Sequence, residues 1–343
     1  MALSAEQIAD LVTTTQRELG KLRWTDLTGD LQEYIAMPKL LKKEKVQFQS
    51  GYGIQWNLMK GTSGAARNVG LFNTDALNVA DQMITANIPW RHSTTSYAFE
   101  RREIAMNREP ARIVELIKTR RADAMIDLAK LCETDFWSKP ADSNDQVRPF
   151  GVKYWVVGNA SEGFNGGNPS GFSAGAAGLD AATYPRWKNW TAEYAQIAKD
   201  DLVVKWRKAA TFTKFMPPVE IKDYNRGDRY GYYTNYTVFG KLETILENQN
   251  DNLGNDLASK DGAVVFRKTP VTWVPELDAD TTNPLYGLNW GVFFPVFLSG
   301  EYMREDPPEK APNQHNVMHV FVDSTYNNKC TDRRRLFVLN QSA

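Results

Sequence analysis

A single stretch of helical periodicity, residues 109–138, constrains the fold more than any other part of the chain. Its apolar side chains recur at helical spacing, at Ile113, Leu116, Ile117, Ala124, Leu128 and Leu131. Pro110 suits a first helical turn, and Lys139-Pro140 followed by polar residues ends the pattern. At 1.5 Å per residue the predicted helix is roughly 40 Å long. A helix of that length spans a whole domain.

Composition narrows the class of protein. The chain has 343 residues, 42% of them hydrophobic and 24% charged, which indicates a globular protein of about two domains. Lys+Arg 41 and Asp+Glu 41 cancel, so the overall charge does not favour nucleic acid or an anionic membrane. No apolar run is long enough to span a membrane, and the first residues do not resemble a signal peptide. We therefore expect synthesis in the cytoplasm, with Cys132 and Cys330 as free thiols.

Residues 1–45 predict an N-terminal arm. A short amphipathic helix follows Ser4, scattered apolar residues come next, and a basic stretch covers residues 39–45. We interpret the basic stretch as a segment that lies over another surface and is not part of a core. A solvated turn and a contact with an acidic partner or with nucleic acid are the alternatives.

Two runs of alternating hydrophobicity follow, at residues 46–58 and 85–104, with a Gly-rich loop between them. Trp56 lies on the apolar face of the first run, while Trp90 and Tyr97 belong to the second, which ends in the charged sequence 100–103. The pattern predicts a long β-hairpin that leads into the helix. Two strands alone are marginally stable in water, so we expect another copy of the chain to cover them.

The rest of the chain predicts a mixture of strands and helices, which places the fold in the α+β class. We predict a strand at 150–157, a mobile surface loop at 163–178 and a second domain from about residue 199. Further strands are expected at 263–266, 271–274, 288–294, 319–322 and 335–339.

Catalytic motifs are missing from the sequence. His92, His315 and His319 are accompanied by no HExxH pattern, and neither a GxSxG elbow nor a phosphate loop is present. We therefore predict no enzyme activity, no catalytic residues, no metal site and no cofactor. The arginine clusters at 101–102, 120–121 and 333–335 lie beside acidic residues, which indicates ion pairs within or between subunits. Any contact with DNA is expected to be weak, non-specific contact with phosphates.

Several segments, taken in order along nearly the whole chain, resemble the major capsid proteins of tailed bacteriophages with the Hong Kong 97-like fold. They are Ile88-Pro89-Trp90, the helix end at 131–137, 150–155, 184–189 with Tyr194, 202–217, 232–236, 269–271 and 274–278. The resemblance implies an N-terminal arm (1–45), an extended hairpin loop (46–106), a peripheral domain (107–198) with a spine helix at 110–138, an axial domain (199–305), and return strands of the peripheral domain (306–343).

The same resemblance implies a shell protein that self-assembles into pentamers and hexamers of an icosahedral head around double-stranded DNA. Its expected partners are further copies of itself, a separate scaffolding protein, a portal and a decoration protein, and its expected location is the virion capsid. We expect the subunit interface to use Trp56, Trp90, Tyr97, Glu100, Arg101 and Arg102. Lys60 is the candidate for a covalent crosslink between subunits. The alternatives are the shell of a bacterial protein compartment and an aromatic-rich glycan-binding module.

Overall fold

The computed structural model describes residues 34–43, 45–61, 63–64, 66–71, 81–106, 110–214, 230–247, 264–267, 269–312, 314 and 316–342. The fold is α+β, as predicted. Its helices are α1 (Met37–Leu40), α2 (Arg101–Met106), α3 (Pro110–Trp137), α4 (Val152–Trp155), α5 (Leu202–Phe212) and α6 (Tyr236–Glu247). The helix predicted after Ser4 lies outside the described residues.

Helix α3 has 28 residues and agrees with the predicted bounds to within one residue at each end. Ile117, Ala124, Leu128 and Cys132 are buried on one side of it, where they meet the main hydrophobic core. Leu131, which the periodicity places on the apolar stripe, is instead 43% exposed. The end of α3 is in close contact with Gly151, where a Cβ atom would collide with carbonyl oxygens of the last helical turn.

The first sheet is built around β14 (Val317–Cys330). Strand β4 (Arg91–Glu100) pairs antiparallel with it over ten residues, from Val317↔Glu100 to Tyr326↔Arg91. The other edge of β14 carries β11 (Phe293–Leu298), β12 (Arg304–Glu305) and β13 (Glu309–Lys310), and β1 (Gln47–Gln49) runs parallel to β11. Helix α3 packs against this sheet through β4.

The second sheet has seven strands in the order β5-β6-β15-β10-β7-β9-β8. They are β5 (Gly163–Gly166), β6 (Asn189–Tyr194), β7 (Tyr230–Thr234), β8 (Val265–Phe266), β9 (Thr269–Trp273), β10 (Leu285–Asn289) and β15 (Phe337–Gln341). Aromatic side chains join α5 to this sheet, since Trp206 stacks on Phe266 at 3.8 Å and Phe212 stacks on Trp190 at 5.0 Å between ring centroids.

A separate hairpin is formed by β2 (Ile54–Met59) and β3 (Met83–Ile88). The predicted single strand at 85–104 is wrong, because the chain breaks at Pro89 and continues as β4 and then α2. Proline offers no backbone N–H to a ladder. Only β2 and β3 therefore form the hairpin, and β4 belongs to the first sheet.

Each of the two sheets contains strands from ranges that the expected boundaries at 198/199 and 305/306 assign to different domains. Strands β6 and β15 lie in the second sheet, although the expected boundaries assign both to the peripheral domain. Strands β11 and β12 lie in the first sheet, although they fall in the range expected for the axial domain. The chain thus crosses between the sheets several times.

Three local predictions also need correction. Residues 150–157 contain the short helix α4 (Val152–Trp155) and no strand. The expected surface loop at 163–178 contains β5 and buries Phe172, Ala176 and Ala177. The basic stretch at 39–45 joins the core, because Leu40 and Lys45 are buried and Lys45 Nζ donates a hydrogen bond to the carbonyl of Trp290.

Candidate assembly interface

The hairpin is buried at its base and exposed at its tip. At the base Ile54, Trp56, Ala86 and Ile88 face the core, where the Trp56 ring lies 6.3 Å from that of Trp155. At the tip the apolar side chains face solvent: Met59 is 60% exposed, Met83 59%, Val69 55% and Leu71 91%. Apolar side chains gathered on one projecting element are typical of a surface that contacts another molecule.

An ion pair closes the hairpin where β2 and β3 end. Lys60 Nζ lies 2.8 Å from Asp81 Oδ2, and the Lys60 backbone N–H donates to the carbonyl of Gln82. The hydrogen bond from Lys60 lowers the pKa of Asp81, and the same bond raises the pKa of Lys60. Lys60, the predicted crosslink residue, is therefore a charged partner of Asp81 within its own chain.

An aromatic surface surrounds the turn that leads into the hairpin. The indole N–H of Trp90 donates to the carbonyl of Gly51 at 2.8 Å, which leaves Trp90 half-buried. Tyr52 is fully exposed and Phe48 projects from β1 beside it. A groove of about 520 Å³ runs between them, lined by Phe48, Gln49, Ser50, Gly51, Tyr52, Gly53, Gln55 and Ser299.

The sequence predictions did not include Phe48 and Tyr52 in the interface. They treat residues 46–58 as one alternating strand, in which both side chains share a face with Trp56. The sequence signal that separates Phe48 and Tyr52 from Trp56 is Gly51. This glycine adopts a φ of 120° and divides the run into β1 and β2. A break at Gly51-Tyr52-Gly53 predicts a turn that presents Tyr52 to solvent.

The charged sequence at the end of β4 lies at an exposed corner of the first sheet. Arg102 is 72% exposed, and its Nε lies 3.7 Å from Glu100 Oε1, which is a loose contact. The Arg101 side chain is exposed, and its backbone N–H donates to the carbonyl of Asn316. Glu103 is held more tightly, since Arg120 approaches it at 2.6 Å. Glu100, Arg101 and Arg102 are thus accessible to another subunit.

Trp56 and Tyr97, the two remaining predicted contacts, are buried within their own subunit. Tyr97 belongs to the main core, and the Lys329 ammonium lies 5.4 Å from the Trp56 ring centroid. Alternation in a strand indicates which side chains share a face and not what covers that face. Both residues therefore lie beneath the exposed surface of their own subunit.

Strand β4 itself presents a long edge. It pairs with β14 on one side, and among the described residues no strand pairs with its other side. Its outward-facing side chains at His92, Thr94, Ser96 and Ala98 are small or polar, and Arg120 caps the carbonyl of Ala98 at 2.8 Å. An open strand edge is a template for pairing with another chain.

Reactive chemistry is sparse in the described part of the chain. No group of three or more His, Cys, Asp or Glu side chains comes together there as metal ligands would. Burial raises the pKa of the Cys132 thiol to about 11 and also raises that of Cys330, so neither thiol is an activated nucleophile. None of the described helices combines the length and apolar character needed to cross a membrane.

Comparison with known proteins gives a match at the level of structure. No protein-family model and no curated protein sequence matches the chain. Among solved structures, the capsid asymmetric unit of cyanophage A-1(L) is 14% identical, with 93% of this chain and 96% of that chain covered and a TM-score of 0.60. The capsid of an empty GTA particle is 12% identical, with 100% and 99% covered and a TM-score of 0.59.

A third match is the procapsid of satellite phage P4 that includes its size determination (Sid) protein. It is 10% identical, covers 99% of this chain and 98% of that chain, and has a TM-score of 0.50. These matches cover 93% to 100% of this chain, so they are not confined to one of the two sheets. The chain therefore has the fold of phage capsid proteins, as its sequence predicted.

Proposed function

We propose that this chain is a major capsid protein that self-assembles into the pentamers and hexamers of an icosahedral phage head enclosing double-stranded DNA. The observation that carries the proposal is the full-length match to capsid proteins, in which both chains are covered almost completely. A shared core alone would leave the projecting parts unmatched. Here 93% and 100% of this chain are covered, so the match is not confined to a shared core.

The hairpin tip supports assembly on physical grounds. Four apolar side chains, Met59, Val69, Leu71 and Met83, are more than half exposed. Burying a side chain of this kind stabilises a contact by about 1.5–3 kcal/mol, so each hairpin offers roughly 6 kcal/mol before the entropy of association is subtracted. We infer that the tip lies over a neighbouring copy of the chain.

The contact surface we propose also includes the accessible charges at the end of β4 and the aromatic groove. Glu100, Arg101, Arg102 and Trp90 remain interface candidates, and Phe48 and Tyr52 join them. The proposed partners outside the shell are a scaffolding protein, a portal and a decoration protein. With a net charge of zero, the shell is expected to touch packaged DNA only weakly and without reading its sequence.

Electron microscopy and size-exclusion chromatography of the purified chain test the proposal, with the chain expressed alone and again together with phage lysate components. Closed shells, or capsomers of five and six subunits, are the expected result. A chain that remains monomeric under every condition contradicts the proposal. Nuclease-protected DNA inside the shells supports a phage head, whereas shells filled with protein support a bacterial compartment.

A further inference from the structure

Residues 34–45, which we call the strap, are attached to α3 through one buried carboxylate. Glu133 lies in the penultimate turn of α3 and is almost fully buried. Its Oε1 accepts the backbone N–H groups of Ile35 at 3.0 Å and Ala36 at 2.8 Å, together with the indole N–H of Trp137 at 2.8 Å. Its Oε2 accepts the N–H groups of Ala36 at 3.0 Å and Met37 at 2.8 Å.

The strap needs this carboxylate because of its own sequence. Helix α1 begins at Met37, and the N–H groups in the first turn of a helix have no partner within the helix. The residue before it, Ala36, has no side-chain oxygen and makes no capping bond. Glu133, 97 residues further along the chain, takes the place of the missing cap. Unpaired, these N–H groups would be buried at a considerable cost.

Two lysines complete the attachment. The Lys39 ammonium contacts the hydroxyl of Tyr233, and Lys45 Nζ donates to the carbonyl of Trp290. The charged and titratable groups close enough to Glu133 to feel its charge include Lys39 on the strap, Tyr233 on β7 and Cys132 on α3. Among the described residues of the strap, none belongs to a strand of either sheet before β1. The strap is therefore attached by side-chain contacts and by the hydrogen bonds to Glu133, and not by a β-ladder.

We propose that Glu133 is the positioning residue of the strap: it fixes the described residues of this segment on the end of α3. Without this carboxylate the strap opens as a local unit while both sheets stay folded. Ile35, Met37 and Leu40 also pack into the main core, so opening means that these apolar contacts are lost together with the hydrogen bonds to Glu133. Its consequence for assembly rests on the proposed function; the attachment itself concerns one subunit.

Hydrogen exchange of the full chain tests the proposal with Glu133→Gln. Glutamine keeps the size of the side chain but replaces one acceptor oxygen with an NH₂ donor that faces the strap N–H groups. We expect the amides of residues 35–37 to exchange about ten- to a hundredfold faster, as the loss of hydrogen bonds to a charged group predicts. The amides of β4 and β14 are expected to keep their rates. Thr134→Ala, one residue along but on the exposed face of α3, is the control and should change neither.

Two results would overturn the proposal. Unchanged exchange at residues 35–37 would show that Glu133 does not hold the strap, and an equal increase in β4 and β14 would show that it acts only on global stability. Glu133→Asp keeps the charge with a shorter reach, so it should give a smaller increase than Glu133→Gln, and it serves if the glutamine variant does not fold. If even the unaltered chain forms no shells, the proposed function fails while the exchange result still decides the role of Glu133.

Discussion

At the scale of single residues, the described structure depends on a few buried polar groups that the sequence does not mark. Arg333 is fully buried and donates to the carbonyls of Trp155 at 2.7 Å, Trp187 at 3.0 Å and Gly167 at 3.0 Å. Burial lowers the pKa of its guanidinium to about 10, which still leaves it charged at neutral pH. One side chain thus joins three separate segments around the second sheet.

Replacing Arg333 with methionine should therefore destabilise the chain strongly. The substitution leaves several buried carbonyls without a donor, and we expect the free energy of unfolding to fall by about 3–5 kcal/mol. Chemical denaturation monitored by tryptophan fluorescence measures the change. Arg334→Met is the matched control, because Arg334 is only half-buried and stacks on Phe164. A loss of stability no larger than that of the control would contradict the role of Arg333.

Asp135 should make stability depend on pH. Burial raises its pKa from 3.8 to about 6, opposed by the nearby Arg148, so the folded chain holds this proton more tightly than the unfolded chain does. The contribution of Asp135 to the free energy of unfolding is greatest at low pH, and it declines as the pH rises from about 4 to 6. Asp135→Asn should then raise the free energy of unfolding by about 1–2 kcal/mol at pH 7.5.

The stabilising effect of Asp135→Asn should disappear near pH 4, where the native carboxyl is already protonated. Denaturation curves of both proteins at the two pH values provide the test. A variant that is less stable than the native chain at pH 7.5 would show instead that the carboxylate is held by favourable contacts.

At the scale of elements, the exposed tip of the hairpin is the proposed contact with a neighbouring subunit. We expect Met59→Asp combined with Met83→Asp to abolish assembly, because two charges would have to be buried in the contact with the neighbour. The free energy of unfolding should change by less than about 0.5 kcal/mol, since both side chains are exposed. Electron microscopy and denaturation of the same preparation measure the two effects.

Met59→Leu combined with Met83→Leu is the control for the hairpin, since it preserves apolar side chains of similar volume. It should form shells like the unaltered chain. Normal shells from the aspartate variant would mean that the tip is not a subunit contact.

Elements defined by local pattern could be predicted, and elements defined by distant partners could not. Helix α3 follows from its periodicity and from the prolines at its two ends. Residues 150–157 carry β-branched and aromatic side chains typical of a strand, but contact between Gly151 and the end of α3 favours the turn of α4. The division of 85–104 depends on β14, more than 200 residues away, which a local pattern does not contain.

The candidate interface shows the same limit. Glu100, Arg101 and Arg102 are accessible as predicted, because a run of four charged residues is rarely buried. Trp56 and Tyr97 are buried instead, because the element that covers their face comes from elsewhere in the chain. Whether the accessible residues contact a neighbour stays a prediction.

At the scale of the whole molecule, the net charge of the chain is zero, so any electrostatic attraction between copies has to come from local groups of charges. Arg101→Glu combined with Arg102→Glu reverses the charge of these two positions at the exposed end of β4. The double variant should not form shells, because like charges would then meet at the proposed contact. Arg101→Lys with Arg102→Lys keeps the charge and should assemble. Light scattering during assembly distinguishes the two, and equal assembly by both variants would exclude this corner from the interface.

The repeated crossing between sheets has a consequence for synthesis. Strand β4 can pair only after β14 has been synthesised, and β6 can pair with β15 only after β15, whose first residue is Phe337, has been synthesised. Neither sheet can be completed until the roughly 300 residues before β14 and β15 have been translated, which takes on the order of tens of seconds. A nascent chain therefore already contains the residues of the hairpin tip before either sheet is complete. Under the proposed function, a subunit is expected to become competent for assembly only after β14 and β15 have been synthesised and paired, which would keep unfinished chains out of a shell.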